Sequence, residues 1–255
     1  MNFIKIVRFD FMNIVRNPTL LMFNTVFPII LIAVMGFVTK GNYNSGSVSS
    51  YDYYGVTMMI FTSLFIAMTA SNTFMEAKVR KGNTRIVYAP VTKAEIYLSK
   101  LIATYVLGII SYSFLLFIGQ YIFNINFGGK NILYIILLIN IFSLFGCSLG
   151  TMFCCIFKSE EGANSVMQIF LLLFILLGGL FFSVDSFGNI VEKISYLSPV
   201  KWVTKCSFQI IYDNNFNLYL PTIAVVLLSS IVCIIICQIT DRKSTRLNSS
   251  HLYDL

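Results

Sequence analysis

The sequence predicts an all-α membrane protein of six transmembrane helices, preceded by an amphipathic helix at the membrane surface. Three observations carry this. Of the 255 residues, 57% are hydrophobic and only 11% are charged, with a mean hydropathy of +0.79. An ordinary soluble domain carries about 25% charged residues. Charge is absent between Arg16 and Lys40, Asp52 and Glu76, Lys100 and Lys130, Lys130 and Lys158, Glu161 and Asp185, and Asp213 and Asp241. Each gap holds the roughly 20 residues that a helix needs to cross the hydrocarbon layer. The net charge of +7 gathers in short segments between the apolar runs. That pattern is topology and not a nucleic-acid footprint.

Residues 2–16, NFIKIVRFDFMNIVR, intersperse Lys5, Arg8, Asp10 and Arg16 with apolar and aromatic residues, a helical pattern suited to the inner membrane surface. Asn17-Pro18 ends this helix and opens the next. Spans are expected near 18–39, 55–75, 101–123, 131–157, 164–183 and 218–239. No small-residue cleavage site follows the first apolar run, so it reads as a span and not as a cleaved signal. The stretch GNYNSGSVSSYDYYG reads as a flexible outer loop in which Tyr51, Tyr53 and Tyr54 anchor at the interface.

Between the second and third spans lies Glu76–Lys100, with six cations, Lys78, Arg80, Lys81, Arg85, Lys93 and Lys100, against Glu76 and Glu95. Its less polar centre, Arg85-Ile86-Val87-Tyr88-Ala89-Pro90, suits a short surface helix open to lipid or to a partner. The fourth span contains Gly146 and Gly150, a GxxxG that lets a helix approach closely, within the chain or from a second copy. After the fifth span, Gly178-Gly179 leads past Asp185 into Ser186–Trp202. Ile190, Val191, Ile194 and Leu197 have helical spacing there until Ser198-Pro199 interrupts them. This predicts a short outer helical element dipping back into the membrane edge, with Trp202 as an interface anchor. Gln120, Asn140, Gln168 and Gln238 read as hydrogen-bonding groups between helices. Arg242–His251, RKSTRLNSSH, is polar and resembles a translated adapter sequence, so the transmembrane domain is assigned to 1–241 and 242–255 is given no role.

With the N-terminus inside, thirteen cations fall on the inner segments and five on the outer ones. Both termini and Glu76–Lys100 are therefore expected to face the cytoplasm. Cys147, Cys154, Cys155, Cys206, Cys233 and Cys237 read as small packing residues and not as a disulfide framework or metal site. The chain has no GxxxxGK[ST] phosphate loop, no HExxH, and no histidine outside the tail for a Ser/His/Asp set. No ionisable residue falls mid-span, unlike the usual ion-coupled carrier.

Two stretches resemble the permease subunit of ABC-2 type exporters. The first is Glu76…Arg80-Lys81-Gly82…Arg85-Ile86-Val87-Tyr88-Ala89-Pro90-Val91, similar to that family's acidic-basic-Gly-Thr stretch, short apolar helix and Pro-Val/Ile/Leu. An extra residue separates Gly82 from Thr84. The second is Gly179-Leu-Phe-Phe-Ser-Val-Asp185, then Ile194-Ser-Tyr196-Leu-Ser-Pro199-Val, with Ser183 where the family usually has Pro. The resemblance covers 1–240. It implies that Glu76, Arg80, Lys81, Gly82, Arg85, Ile86, Val87, Tyr88 and Pro90 belong to a cytoplasmic coupling helix that docks on a separate ABC ATPase subunit. Gly179, Asp185, Tyr196 and Pro199 would shape an outer re-entrant element. It also implies a second permease copy or a related permease, membrane lipid around the pair, and ATP and Mg held by the ATPase alone. The expected activity is ATP-driven export of a drug, antimicrobial peptide or lipid across the cytoplasmic membrane. Export of a polysaccharide or lipid-linked glycan is the alternative within the class. A membrane immunity or sensor protein that binds a toxin without pumping is the alternative outside it.

Overall fold

A computed structural model describes residues 3–43, 49–75, 93–157, 160–181 and 188–250. The described residues are mostly helical and contain no strand. They form α1 (Phe3–Arg16), α2 (Pro18–Val38), α3 (Ser50–Met75), α4 (Lys93–Tyr121), α5 (Ile132–Ile156), α6 (Glu160–Gly178), α7 (Asn189–Ser195), α8 (Pro199–Tyr212) and α9 (Tyr219–Ser250). Among them, α2, α3, α4, α5, α6 and α9 are long and apolar enough to cross a membrane.

Local chemistry sets the helix starts. The Asn17 side chain accepts from the backbone N–H of Thr19 at 3.1 Å, and Pro18 fills the first helical position, where no N–H is needed. Ser198 and Pro199 repeat the device for α8. The Ser198 hydroxyl also donates to the carbonyl of Phe174 at 2.9 Å, tying this start to α6. At the end of α6, Gly179 adopts φ +71°, a left-handed turn that only glycine takes without strain.

The centre of the bundle is α3. It packs on α2, α4, α5, α6 and α8, and 83% of its apolar window lies inside the fold, against 17% for α2. Its most extensive interface is with α5, through the GxxxG. A Cβ on Gly146 would stand 3.0 Å from the carbonyl oxygens of Ser63 and Leu64, and one on Gly150 would run into the carbonyl oxygen of Ala67. The two glycines thus let the α3 and α5 backbones touch within this chain. In lipid, where burying apolar surface drives no association, such close packing is a main source of helix adhesion.

Several expectations change. The second span starts at Ser50 and not near 55, so Tyr51, Tyr53 and Tyr54 belong to a helix and not to a loop. Tyr51 packs against Gly36 of α2, Tyr53 stacks on Phe208 of α8 at 5.3 Å, and Tyr54 is buried. They are packing residues because the rings find protein surface before they find headgroups. Lys93, Glu95 and Lys100 lie in α4, so the basic segment between helices is shorter than the sequence implied. The segment after α7 is a 14-residue helix, α8, whose Val200, Val203, Cys206 and Ile210 are buried against α3, α5, α6 and α9. Trp202 donates from Nε1 to the carbonyl of Tyr196 at 2.9 Å, so it closes the α7–α8 corner. Asn140 donates to Ser113 at 2.9 Å, a bond between α5 and α4, while Gln120 accepts from the backbone of Phe127 at 2.7 Å. Helix α9 continues through residue 250, across the boundary placed at 241.

The cysteines also divide. Cys147, Cys154, Cys206 and Cys233 are buried free thiols, but Cys155 and Cys237 form a disulfide, with Cα atoms 5.5 Å apart. The pair joins the last turn of α5 to the interior of α9 across 82 positions, a proximity that spacing along the chain does not reveal.

Gly150→Leu should force α3 and α5 apart, at an overpacking cost of about 1–3 kcal/mol. We expect a lower midpoint in detergent thermal unfolding. Gly41→Ala, at a position with no atom within 4 Å of the added Cβ, should leave it unchanged. Equal midpoints for both variants would contradict the close approach.

Candidate functional site

Residues 76–92 join α3 to α4, and the proposed docking residues Glu76, Arg80, Lys81, Gly82, Arg85, Ile86, Val87, Tyr88 and Pro90 all lie outside the described residues, as does Asp185. The structure does describe the two helix ends that carry this segment, and each is held by buried polar contacts.

The α4 end is fastened to α1. Helix α1 places Ile6, Asp10 and Ile14 on one face, and all three are buried. Asp10 accepts from the ammonium of Lys100 at 3.1 Å and from the hydroxyl of Ser99 at 2.7 Å. The side chains of the ion pair are only 3% and 4% exposed. Ala103 and Leu107 of α4 pack with Ile14 and Leu20 beside it. A carboxylate and an ammonium at this depth persist because each satisfies the other, and Ser99 supplies a further donor. Lys100 is therefore not one of the surface cations of the loop. It is the anchor of the helix that follows it.

The α3 end is fastened to α6. Ser71 donates to the side-chain oxygen of Asn164 at 2.6 Å, and the thiol of Cys154 on α5 lies 3.4 Å from the same Ser71 hydroxyl. Asn24 of α2 donates to the hydroxyl of Thr69, two residues before Ser71 on α3, and to the carbonyl of Leu20, each at 2.8 Å. Tyr112 of α4 touches the Asn24 side-chain oxygen at 3.0 Å and the Thr62 carbonyl at 2.9 Å. Asn24, Thr69 and Tyr112 are all fully buried. This group binds α2, α3 and α4 together in the apolar middle of the bundle, where an unmet polar group has no water to turn to.

Sequence reasoning missed these contacts. Asp10 left a legible sign, a charge on the same helical face as Ile6 and Ile14. Asn24, Thr69 and Tyr112 left none, because isolated polar residues in apolar helices have no spacing that names a partner. Gly146 and Gly150 lie on α5, against α3, and Tyr196 and Pro199 frame the α7–α8 corner. Tyr196 meets Trp202 edge-on at 5.5 Å and receives a hydrogen bond from Lys205. No group of three or more metal-ligating side chains occurs among the described residues.

Removing one partner of a buried ion pair strands the other, at about 3–5 kcal/mol. Asp10→Asn and Lys100→Met should each lower the unfolding midpoint sharply, and the double variant should recover most of the loss. A double variant destabilised by the sum of the single losses would show that the two side chains do not act as a pair.

The sequence has relatives among known proteins. Residues 1–212 match the profile of the ABC-2 type transporter family. Over 157 residues, 60% of this chain, the sequence is 26% identical to the linearmycin resistance permease protein LnrN of Bacillus subtilis (strain 168). The aligned stretch spans 40% of that relative's own length. With six helices of membrane-crossing length and a family match over most of its residues, this chain belongs to the ABC-2 type transporter family, as a multi-pass membrane permease.

Proposed function

We propose that this permease is the transmembrane subunit of an ATP-driven exporter that moves a hydrophobic or amphipathic molecule outward across the cytoplasmic membrane. The family match over residues 1–212 carries the reading. The similarity to a protein named as a resistance permease supports a drug-like or amphipathic substrate over a glycan. ATP and Mg would be bound by a separate ATPase subunit, and a second permease, identical or related, would complete the path.

The fold supports a mechanical role for residues 76–92. The segment leaves from α3, the most enclosed of the six spans, and re-enters through α4. A push on it from an ATPase would be delivered to both helices. It would reach α1 through Asp10–Lys100, α6 through Ser71–Asn164, and α2 through Asn24. Rigid elements joined by buried polar contacts are the physical means by which displacement at one end reaches the other.

Two experiments test this. In intact cells, with single-Cys variants in a background lacking the native cysteines, a membrane-impermeant thiol reagent should label a cysteine replacing Ser45 and spare one replacing Asn83. The reverse pattern would overturn the orientation and, with it, the assignment of the loop to the cytoplasm.

Docking is tested at Val87. Burying an apolar side chain such as this one contributes about 1.5–3 kcal/mol. Val87→Asp would replace that gain with a desolvation cost. At equal membrane abundance, the variant should recover less ATPase in a pull-down and show weaker ATP-driven efflux. Equal recovery would reject this loop as the docking element.

A further inference from the structure

At the end of the bundle opposite residues 76–92, a half-open cavity of about 360 Å³ lies between α2, α3 and α4. Its volume falls within the range of about 300–1,000 Å³ typical of small-molecule sites. Pro28, Ile29 and Ile32 of α2, Met59 of α3, and Leu115 and Ile118 of α4 form an apolar wall. Among the described residues lining it, Asp52 is the only charged one.

The enclosure is built by the chain after α4. Ile125 and Phe127 fold back against Gly55 and Gly119, which leave room for them. Asn124, at φ +52°, and Gly128, at φ +107°, turn the backbone to make this return. The returning loop is pinned at each step. Ile125 N–H donates to the Gly119 carbonyl at 2.9 Å, Asn126 N–H to Asp52 Oδ1 at 2.7 Å, and Phe127 N–H to Gln120 at 2.7 Å. Asp52 is thereby held in place through one oxygen. Among the described residues no Lys or Arg forms an ion pair with it. Of the lining residues, Ile29 of α2 and Phe123, just after α4, are 41% and 59% exposed.

We propose that this cavity binds a cationic amphiphile, with its hydrocarbon chain against the α2–α4 wall and its ammonium group against Asp52. A fixed carboxylate at the rim of an apolar enclosure selects positive charge, because a neutral chain gains the wall but not the attraction, and an anion is repelled. Binding here needs neither ATP nor the partner subunit, so it stands or falls separately from the export reading.

The test uses purified permease in nanodiscs and two photoactivatable probes of equal chain length, a dodecyltrimethylammonium and an uncharged dodecyl alcohol. Ultraviolet cross-linking followed by peptide mapping should place the cationic probe on residues 28–33 and 115–125, with about tenfold less labelling by the alcohol. Asp52→Asn keeps an oxygen for the Asn126 N–H but loses the charge. It should lower cationic labelling to the level of the alcohol. Ala33→Trp, which fills the cavity from a lining position, should abolish labelling by both probes. Equal labelling of wild type by the two probes would overturn the proposal without recourse to any variant. Undiminished labelling of a normally folded Asp52→Asn protein, or cross-links confined to other helices, would overturn it as well.

Discussion

The close approach of α3 and α5 is the constraint on which the rest of the bundle rests. Gly146 and Gly150 remove the side chains that would separate the two backbones, and Ser63, Leu64 and Ala67 present their carbonyls to the space left. With α5 drawn this near, α3 becomes the enclosed helix, and α2, α4, α6 and α8 are arranged around it. Small-residue packing is short-ranged, so it holds only where the backbones meet. The remaining helices need other fastenings, and the chain supplies them as hydrogen bonds.

Those fastenings are placed where they bear on the α3–α4 segment. Asp10, Ser99 and Lys100 fix the start of α4, Ser71 and Asn164 fix the end of α3, and Asn24 with Tyr112 links both to α2. All but the half-buried Asn164 are buried, and a buried polar group is costly to leave alone. A bundle fastened this way resists bending between its helices. The proposed drive through residues 76–92 would require that stiffness, since a soft joint would dissipate the displacement before it reached the far side.

The opposite end is organised around loop return instead. Asp52 and Gln120 hold the backbone after α4, and Ile125 and Phe127 close the space between α3 and α4. The arrangement leaves a recess bounded by helices and floored by aromatic and aliphatic side chains. On one side stands α2, whose Met22, Val26, Ile30 and Val34 are exposed as a lipid-facing surface should be. The two ends of the molecule thus differ in kind, one stiffened by buried polar contacts and the other hollowed.

The class and the number of spans were legible in the sequence. The reason is that the bilayer imposes a length and a composition on any crossing helix. The Asn17-Pro18 and Ser198-Pro199 boundaries were legible for a similar reason, because capping is a local matter of side chain and backbone. GxxxG announced close packing but not its partner, and only the fold placed α3 against it. The same holds for Lys100, which its neighbours in sequence presented as a loop cation and which the position of Asp10, 90 residues away, made into a buried anchor. Tyr51, Tyr53 and Tyr54 likewise changed from interface residues to packing residues once α2 and α8 came beside them. Composition and periodicity report what a residue needs from its surroundings, such as lipid, a cap or a small neighbour. Which residue answers that need depends on contacts between positions far apart in the chain, and those exist only after the helices have packed.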